Sequence, residues 1–192
     1  MKNMTLAHIT EVCGGTYFGP EKKKTAEVTD IVTDSRKAGE GGLFVAIPGE
    51  RVDGHKFIPN VASQGALAVI SEQKLETPPC PYILVKDSME AIKAMAEYYM
   101  QQLNIPVVGI TGSVGKTSTK ETIASVLAQK YRVLKTDANF NNELGLSLTV
   151  FRLREEDEMA VLEMGIDDFG QMHRLAKIAR PETAVITNIG WC

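Results

Sequence analysis

Cysteine is scarce in this sequence. The three present, Cys13, Cys80 and Cys192, stand far apart with no C-x-x-C spacing. That excludes a disulfide framework or a thiolate zinc site and fits a reducing, cytoplasmic setting. A basic excess is also missing. The net charge of -3 argues against a general nucleic-acid binder. No apolar run approaches the roughly 18 residues of a membrane span. The N-terminal Met1-Lys-Asn-Met-Thr-Leu-Ala-His8 lacks the apolar stretch of a signal peptide. Internal repeats and low-complexity segments are absent too. What remains is ordinary for a globular chain: 192 residues, 44% hydrophobic and 23% charged, enough for one large or two small domains.

The most informative stretch is Val107-Val-Gly-Ile-Thr-Gly-Ser-Val-Gly-Lys-Thr-Ser118. A β-branched run enters it, glycines follow at 109, 112 and 115, and an amphipathic segment leaves it. Strand, glycine turn and helix start together form a phosphate-binding loop. Glycines let backbone N–H groups turn toward an anion, and the helix start adds unsatisfied donors and partial positive charge. Lys116 would reach the outer phosphates, and the Thr117 hydroxyl would ligate Mg²⁺. The strict G-x-x-x-x-G-K-[ST] spacing needs glycine at 110, where Ile110 stands. The competing reading is a glycine-rich turn with an exposed lysine.

Around this loop the pattern is α/β. Thr5 is placed to cap a helix through Leu6, Ile9 and Val12, stopped by Gly14-Gly15. Strands are expected over 27–34, 43–47, 66–70 and 82–85, with a helix over 57–64. Pro78, Pro79 and Pro81 disfavour both helix and ladder pairing, which sets an expected boundary between a 1–80 domain and an 81–192 domain. Beyond it, a helix with Met89, Ile92, Met95, Ala96 and Tyr99 on one face leads to the loop strand. Helices at 117–131, 142–153 and 169–179 then alternate with strands at 132–135, 160–164 and 183–189. That alternation implies a parallel sheet with right-handed crossovers. The fold class is therefore α/β: a small N-terminal α/β domain followed by a parallel sheet of P-loop type with flanking helices. Ligands bind such sheets at the carboxyl ends of the strands, which groups the loop, Asp137 to Asn142, Glu163 and Asn188 on one rim.

Three further constellations bear chemistry. Glu163 ends the apolar strand Ala160-Val-Leu-Glu163. A carboxylate there can hold the Mg²⁺ that bridges nucleotide phosphates, or can simply be a polar residue leaving the core. Asn139-Phe-Asn-Asn142 can bind a polar ligand, but composition favours Asx turns and a helix cap. Asp34-Ser35-Arg36 and Asp53-Gly-His55 lie in turns of the first domain. Arg36 suits a phosphate or carboxylate, although Asp-Ser-Arg is more commonly a helix cap with a solvated arginine. His8 and His173 lack metal spacing and take no role.

Taken together, these motifs resemble the Mur ligases, the ATP-dependent amide-forming enzymes of peptidoglycan precursor synthesis. The resemblance rests on Thr33-Asp-Ser-Arg36, Gly42-Leu-Phe-Val-Ala46, Gly49-Glu50, Asp53-Gly-His55, Thr111-Gly-Ser-Val-Gly-Lys-Thr-Ser-Thr-Lys-Glu121, Asn139-Phe-Asn-Asn-Glu-Leu-Gly145, Leu162-Glu-Met-Gly165 and Ile186-Thr-Asn-Ile-Gly190. It spans essentially the whole chain. The family's own loop is spaced G-x-x-G-x-x-G-K-T, which accounts for Ile110. The T-G-S-x-G-K-T-x-T-K-E and N-x-N-N-x-x-G forms are similar to the branch that adds D-alanyl-D-alanine to UDP-N-acetylmuramoyl-tripeptide.

The resemblance implies ATP and Mg²⁺ as cofactors and an acyl-phosphate route to the amide. It implies that Ser35, Arg36, Asp53 and His55 contact the UDP-muramoyl substrate. Gly112, Ser113, Val114, Gly115, Lys116, Thr117, Ser118 and Asn188 would hold ATP. Thr117 and Glu163 would hold the metal, and Lys116, Asn139 and Asn142 would sit at the reacting centre. A cytoplasmic monomer is expected, with no nucleic-acid partner. The family's metal-binding histidine, its lysine for a second metal and its closing third domain have no counterpart before Cys192. The chain thus reads as the N-terminal piece of a longer ligase that does not form the bond alone. Two other classes stay open, a small P-loop kinase or NTPase and a non-catalytic UDP-sugar-binding module.

Overall fold

The computed structural model describes residues 1–49, 52–137 and 140–190. The chain divides into two compact units, Met1–Met95 and Ala96–Cys192.

The first unit opens with helix α1, Leu6–Val12, capped by the Thr5 side chain accepting from the His8 N–H. Leu6 and Ile9 are its buried face. Five short strands follow: β1 (Thr16–Phe18), β2 (Ile31–Val32), β3 (Leu43–Val45), β4 (Ala68–Ser71) and β5 (Tyr82–Leu84). They form one sheet in the order β1-β5-β4-β3-β2. The β2, β3, β4 and β5 pairings are parallel, whereas β1 runs antiparallel to β5. Between β3 and β4, a 3-10 turn at Gly54–Phe57 leads into α2, Ile58–Ser63. Phe44, Ala46, Ile58, Val61, Val69 and Tyr82 form the core of this unit. Phe18 stacks on Tyr82 with ring centroids 4.7 Å apart.

Several details differ from the sequence reading, among them the unexpected edge strand β1 and the end of β9 at Ile186 where a strand was expected to 189. The strand in 27–34 is confined to Ile31–Val32, because the chain before it turns to the start of α1, where Glu27 forms an isolated antiparallel bridge with Thr5 and the Val28 N–H donates to the Met4 carbonyl. The proline cluster sits inside the first unit, since β5 returns after it to pair with β4 in register Val69↔Tyr82. The two units instead divide within α3, Ser88–Gln102, a continuous helix whose Ile92, Met95, Ala96 and Tyr99 are buried.

The second unit is a parallel sheet of β6 (Val107–Thr111), β7 (Val133–Lys135), β8 (Met159–Glu163) and β9 (Thr183–Ile186), in the order β7-β8-β6-β9. The connecting helices are α4 (Lys116–Leu127), α5 (Glu143–Val150) and α6 (Gln171–Ala179). Val108, Ile110, Ala124 and Val161 are the buried centre, with Ile123, Leu127, Val133, Met159 and Val185 packed on them. The chain leaves β6 on one side to make β7 and β8, then crosses to β9 on the other. That reversal opens a crevice at the carboxyl ends of β6, β8 and β9, where parallel sheets take their ligands.

Candidate nucleotide and metal site

The loop from Thr111 to Lys116 lies in that crevice. Gly112 has φ +132° and Gly115 has φ +87°, values that side-chain-bearing residues rarely adopt. Gly115 is also the N-cap of α4 and offers no side chain to cap it. The first-turn N–H groups of α4 therefore have no intrahelical acceptor and face the crevice as anion donors. A Cβ on Gly112 would sit 2.1 Å from Thr187 Oγ1 and 2.9 Å from the Asn188 carbonyl, so only glycine fits there.

The segment after β9 braces the loop from outside. Thr187 Oγ1 donates to the Val114 carbonyl at 2.6 Å. Asn188 accepts from the Val114 N–H through Oδ1 at 2.9 Å and from the Ser113 N–H through its carbonyl at 3.2 Å. Ser113 Oγ donates to the Gly190 carbonyl at 3.0 Å. Ser113 and Asn188 thus hold the loop's shape in this structure. Val114 is an exposed apolar residue at the loop crest. Ser118 is exposed in the first turn of α4 and its carbonyl accepts from Thr122. Lys116 Nζ folds back to donate to the Gly112 carbonyl at 2.6 Å, which places the ammonium over the loop's concave side.

Thr117 and Glu163 meet. Thr117 Oγ1 lies 3.0 Å from Glu163 Oε2 and 3.3 Å from Oε1, donating across the crevice from α4 to β8. Glu163 is only 2% exposed. Register sets its position, because it pairs with Ile110 one residue before β6 ends. Asn141 Nδ2 donates to Glu163 Oε1 at 3.1 Å. The Glu163 N–H donates to Thr136 Oγ1 at 3.0 Å. A hydroxyl and a carboxylate at this spacing are the hard oxygen donors that Mg²⁺ prefers. Among the described residues, Thr111 Oγ1 at the loop's root is the one buried side-chain oxygen or nitrogen without a partner. The donor set, the uncapped helix start and this unpaired hydroxyl fit a Mg²⁺-bound polyphosphate.

Sequence reasoning met Lys120 in the T-x-T-K-E stretch but gave it no role; it lies one helical turn after Lys116 and is 1% exposed. Its Nζ donates to the Thr136 carbonyl at 2.8 Å and lies 3.7 Å from Glu163 Oε2. The available signal was its i+4 spacing from Lys116. Nearby, Lys135 and then Lys120 hold the Glu121 carboxyl below the usual carboxylate range.

Asn142 caps α5, accepting from the Gly145 N–H at 2.7 Å. Its neighbour Asn141 is the amide that reaches Glu163. Asn139 lies outside the described residues.

In the first unit, the turn after β2 carries Asp34, Ser35 and Arg36. Arg36 grips Asp34 with two bonds, Nε to Oδ1 at 2.9 Å and Nη2 to Oδ2 at 2.7 Å. That fork, with the Arg36 N–H on the same carboxylate, holds the Asp34 carboxyl down at about 2. Arg36 stays exposed with its remaining N–H donors available to an anion, and Ser35 is half-buried beside it. Asp53 accepts from the His55 N–H at 2.9 Å and from His55 Nδ1 at 2.6 Å, which lowers the Asp53 carboxyl. His55 Nε2 accepts from the Glu72 N–H at 3.1 Å. Both ring nitrogens are engaged within the protein, and the bond from Glu72 fixes the neutral tautomer with the proton on Nδ1. Asp53 and His55 therefore tie the segment after β3 to the end of β4.

Comparison with known proteins connects these observations. Residues 27–136 match the description "Mur ligase family, catalytic domain", and residues 110–191 match "Mur ligase middle domain". The UDP-N-acetylmuramoyl-tripeptide–D-alanyl-D-alanine ligase of Bacillus subtilis is 42% identical over 192 residues, covering 99% of this chain and 42% of the relative. The same-named enzyme of Escherichia coli is 36% identical, covering 98% and 41%. A crystal structure of MurF from Acinetobacter baumannii superposes with TM-score 0.87 at 33% identity, over 97% of this chain and 41% of that one. MurF from Thermotoga maritima, solved in complex with ADP, gives TM-score 0.76 at 38% identity, over 84% and 38%. The chain thus spans about two fifths of the length of the relatives it matches.

Proposed function

The chain belongs to the Mur ligase family, and from that premise we propose that it is the substrate- and nucleotide-holding part of an ATP-dependent amide ligase. The full reaction joins D-alanyl-D-alanine to UDP-N-acetylmuramoyl-tripeptide. The observation that carries this reading is the Thr117–Glu163 contact beside a loop with two positive-φ glycines. It supports a divalent cation and a polyphosphate in one crevice. The names of the similar enzymes supply the acceptor and donor.

In this reading the tripeptide's terminal carboxylate attacks the γ-phosphorus of ATP. The bond to the β,γ-bridging oxygen breaks, leaving an acyl phosphate and ADP. The dipeptide amine then displaces phosphate to form the amide. Two anions must approach, so positioning and charge offset dominate. Lys116 swings from the Gly112 carbonyl to the outer phosphates. The uncapped N–H groups of α4 hold the inner ones. Thr117 and Glu163 would hold Mg²⁺, which supplies charge neutralisation at the phosphates. Asn141 keeps Glu163 aimed, and Asn142, by capping α5, fixes the segment that carries Asn141. In the first unit, Arg36 and Ser35 receive the uridine-diphosphate end, and Asp53 and His55 shape the adjoining segment. No helix among the described residues is long and apolar enough to cross a membrane. The reading places the enzyme in the cytoplasm, where ATP and nucleotide-sugars reside.

Calorimetry with UDP-N-acetylmuramoyl-tripeptide and with MgATP, titrated separately, tests this. The ligase reading requires heat from both. Binding of ATP alone would favour a kinase or NTPase. Binding of the UDP compound alone would leave a non-catalytic module.

A further inference from the structure

Two lysines project from α4 one turn apart, and only the first is absorbed by the phosphate loop. Lys120 lies deeper and is fully buried. Its ammonium is satisfied by the Thr136 carbonyl at 2.8 Å and by Glu121 Oε1 at 3.2 Å. It stands 3.7 Å from Glu163 Oε2, close enough for strong attraction but beyond a hydrogen bond. The groups that bond Glu163's oxygens are the neutral Thr117 hydroxyl and the Asn141 amide. Glu163 therefore has a nearby counter-charge, shared with Glu121, that occupies neither of its oxygens. Thr136 locks this arrangement, since its carbonyl takes Lys120 and its hydroxyl takes the Glu163 N–H.

Resting on the reading of Thr117 and Glu163 as the metal-holding pair, we infer that Lys120 is a positioning residue that sets the charge this site shows a divalent cation. With Lys120 in place, the carboxylate is aimed and its charge partly offset. A bare cation is then held weakly, and the metal is retained only with the polyphosphate that brings further negative charge. Removing the ammonium should raise affinity for a cation alone, the opposite of what loss of a merely structural ion pair would do.

The test uses Mn²⁺ as probe, followed by water-proton relaxation and by broadening of amide signals in the 192-residue chain. Lys120→Gln and Lys120→Met should bind Mn²⁺ without nucleotide at least about tenfold more tightly than wild type, as expected when a unit charge a few ångströms away is lost. Lys120→Arg should match wild type, and Lys120→Gln/Glu163→Gln should lose the gain. Unchanged or weaker Mn²⁺ binding by both folded neutral variants overturns the inference. If both neutral variants fail to fold, the wild type decides. Mn²⁺ alone must leave the Thr117 and Glu163 amides sharp at concentrations where Mn²⁺ with a non-hydrolysable ATP analogue broadens them, and equal broadening overturns the inference. Failure of the wild type to bind Mn²⁺ even with the analogue refutes the metal-site reading itself, a separate outcome.

Discussion

Gly112→Ala against Gly115→Ala separates backbone strain from close packing at the loop. Both glycines have positive φ, +132° and +87°. Forcing alanine into such a conformation costs about 1–3 kcal/mol. At Gly115 little else happens, because the nearest heavy atom to an added Cβ is Thr187 Cβ at 3.9 Å, an ordinary contact. At Gly112 the new methyl would meet Thr187 Oγ1 at 2.1 Å and the Asn188 carbonyl and N–H at 2.9 and 3.0 Å. Thr187 must then release the Val114 carbonyl, losing a hydrogen bond worth about 1 kcal/mol. The expected loss is roughly 2–4 kcal/mol for Gly112→Ala and about 1–2 kcal/mol for Gly115→Ala. Urea unfolding followed by circular dichroism, with amide exchange of β6 and β9 as a local readout, measures both. Gly112→Ala/Thr187→Ala should be less destabilised than the sum of its parts, since the 2.1 Å clash is gone. A Gly112→Ala variant no less stable than Gly115→Ala would refute the claim that the Thr187–Asn188 segment is clamped onto the loop.

Other expectations follow from the same geometry. Lys116→Ala should abolish MgATP binding in calorimetry while UDP-N-acetylmuramoyl-tripeptide still binds, and loss of both together would show that the two sites are not separable. The Asp34 carboxyl, depressed to about 2 by Arg36, should titrate by NMR well below the ordinary value of 3.8. Its folded value lies below its unfolded one, so its pairing contributes stability above about pH 4, lost as pH falls toward 2. Arg36→Gln should return the titration toward the ordinary value. Burial pushes the Cys13 thiol up to about 12. At pH 8 it should therefore resist iodoacetamide in the native chain and react once urea unfolds it, with peptide mass spectrometry as the readout.

Much of the site was legible in the sequence because its grammar is local. Glycines 112 and 115, an apolar β-branched run before them and Lys116-Thr117 after them leave few alternatives to a strand-loop-helix turn. Glu163 was legible because it ends an apolar run. The rest depends on distant partners. Lys120 reads as an ordinary helix lysine until Thr136 and Glu163 close around it. Asn141 is one of three amides, and only the fold decides that Asn142 caps α5 while Asn141 reaches the carboxylate. Strand β1 escaped notice because three residues at a sheet edge, Thr16–Phe18, carry too little periodicity. The prolines at 78, 79 and 81 mark a turn between paired strands, whereas the units divide inside helix α3, where composition does not change.

The central claim is that the β6–α4 loop and Glu163 form one site for a Mg²⁺-bound polyphosphate. Its most direct test is a ¹H–¹⁵N titration of the 192-residue chain with MgATP. The account predicts the largest shifts at the amides of Gly112 through Ser118, with Glu163 and Asn141 moving in step. Shifts centred elsewhere, or none at saturating nucleotide, would contradict it.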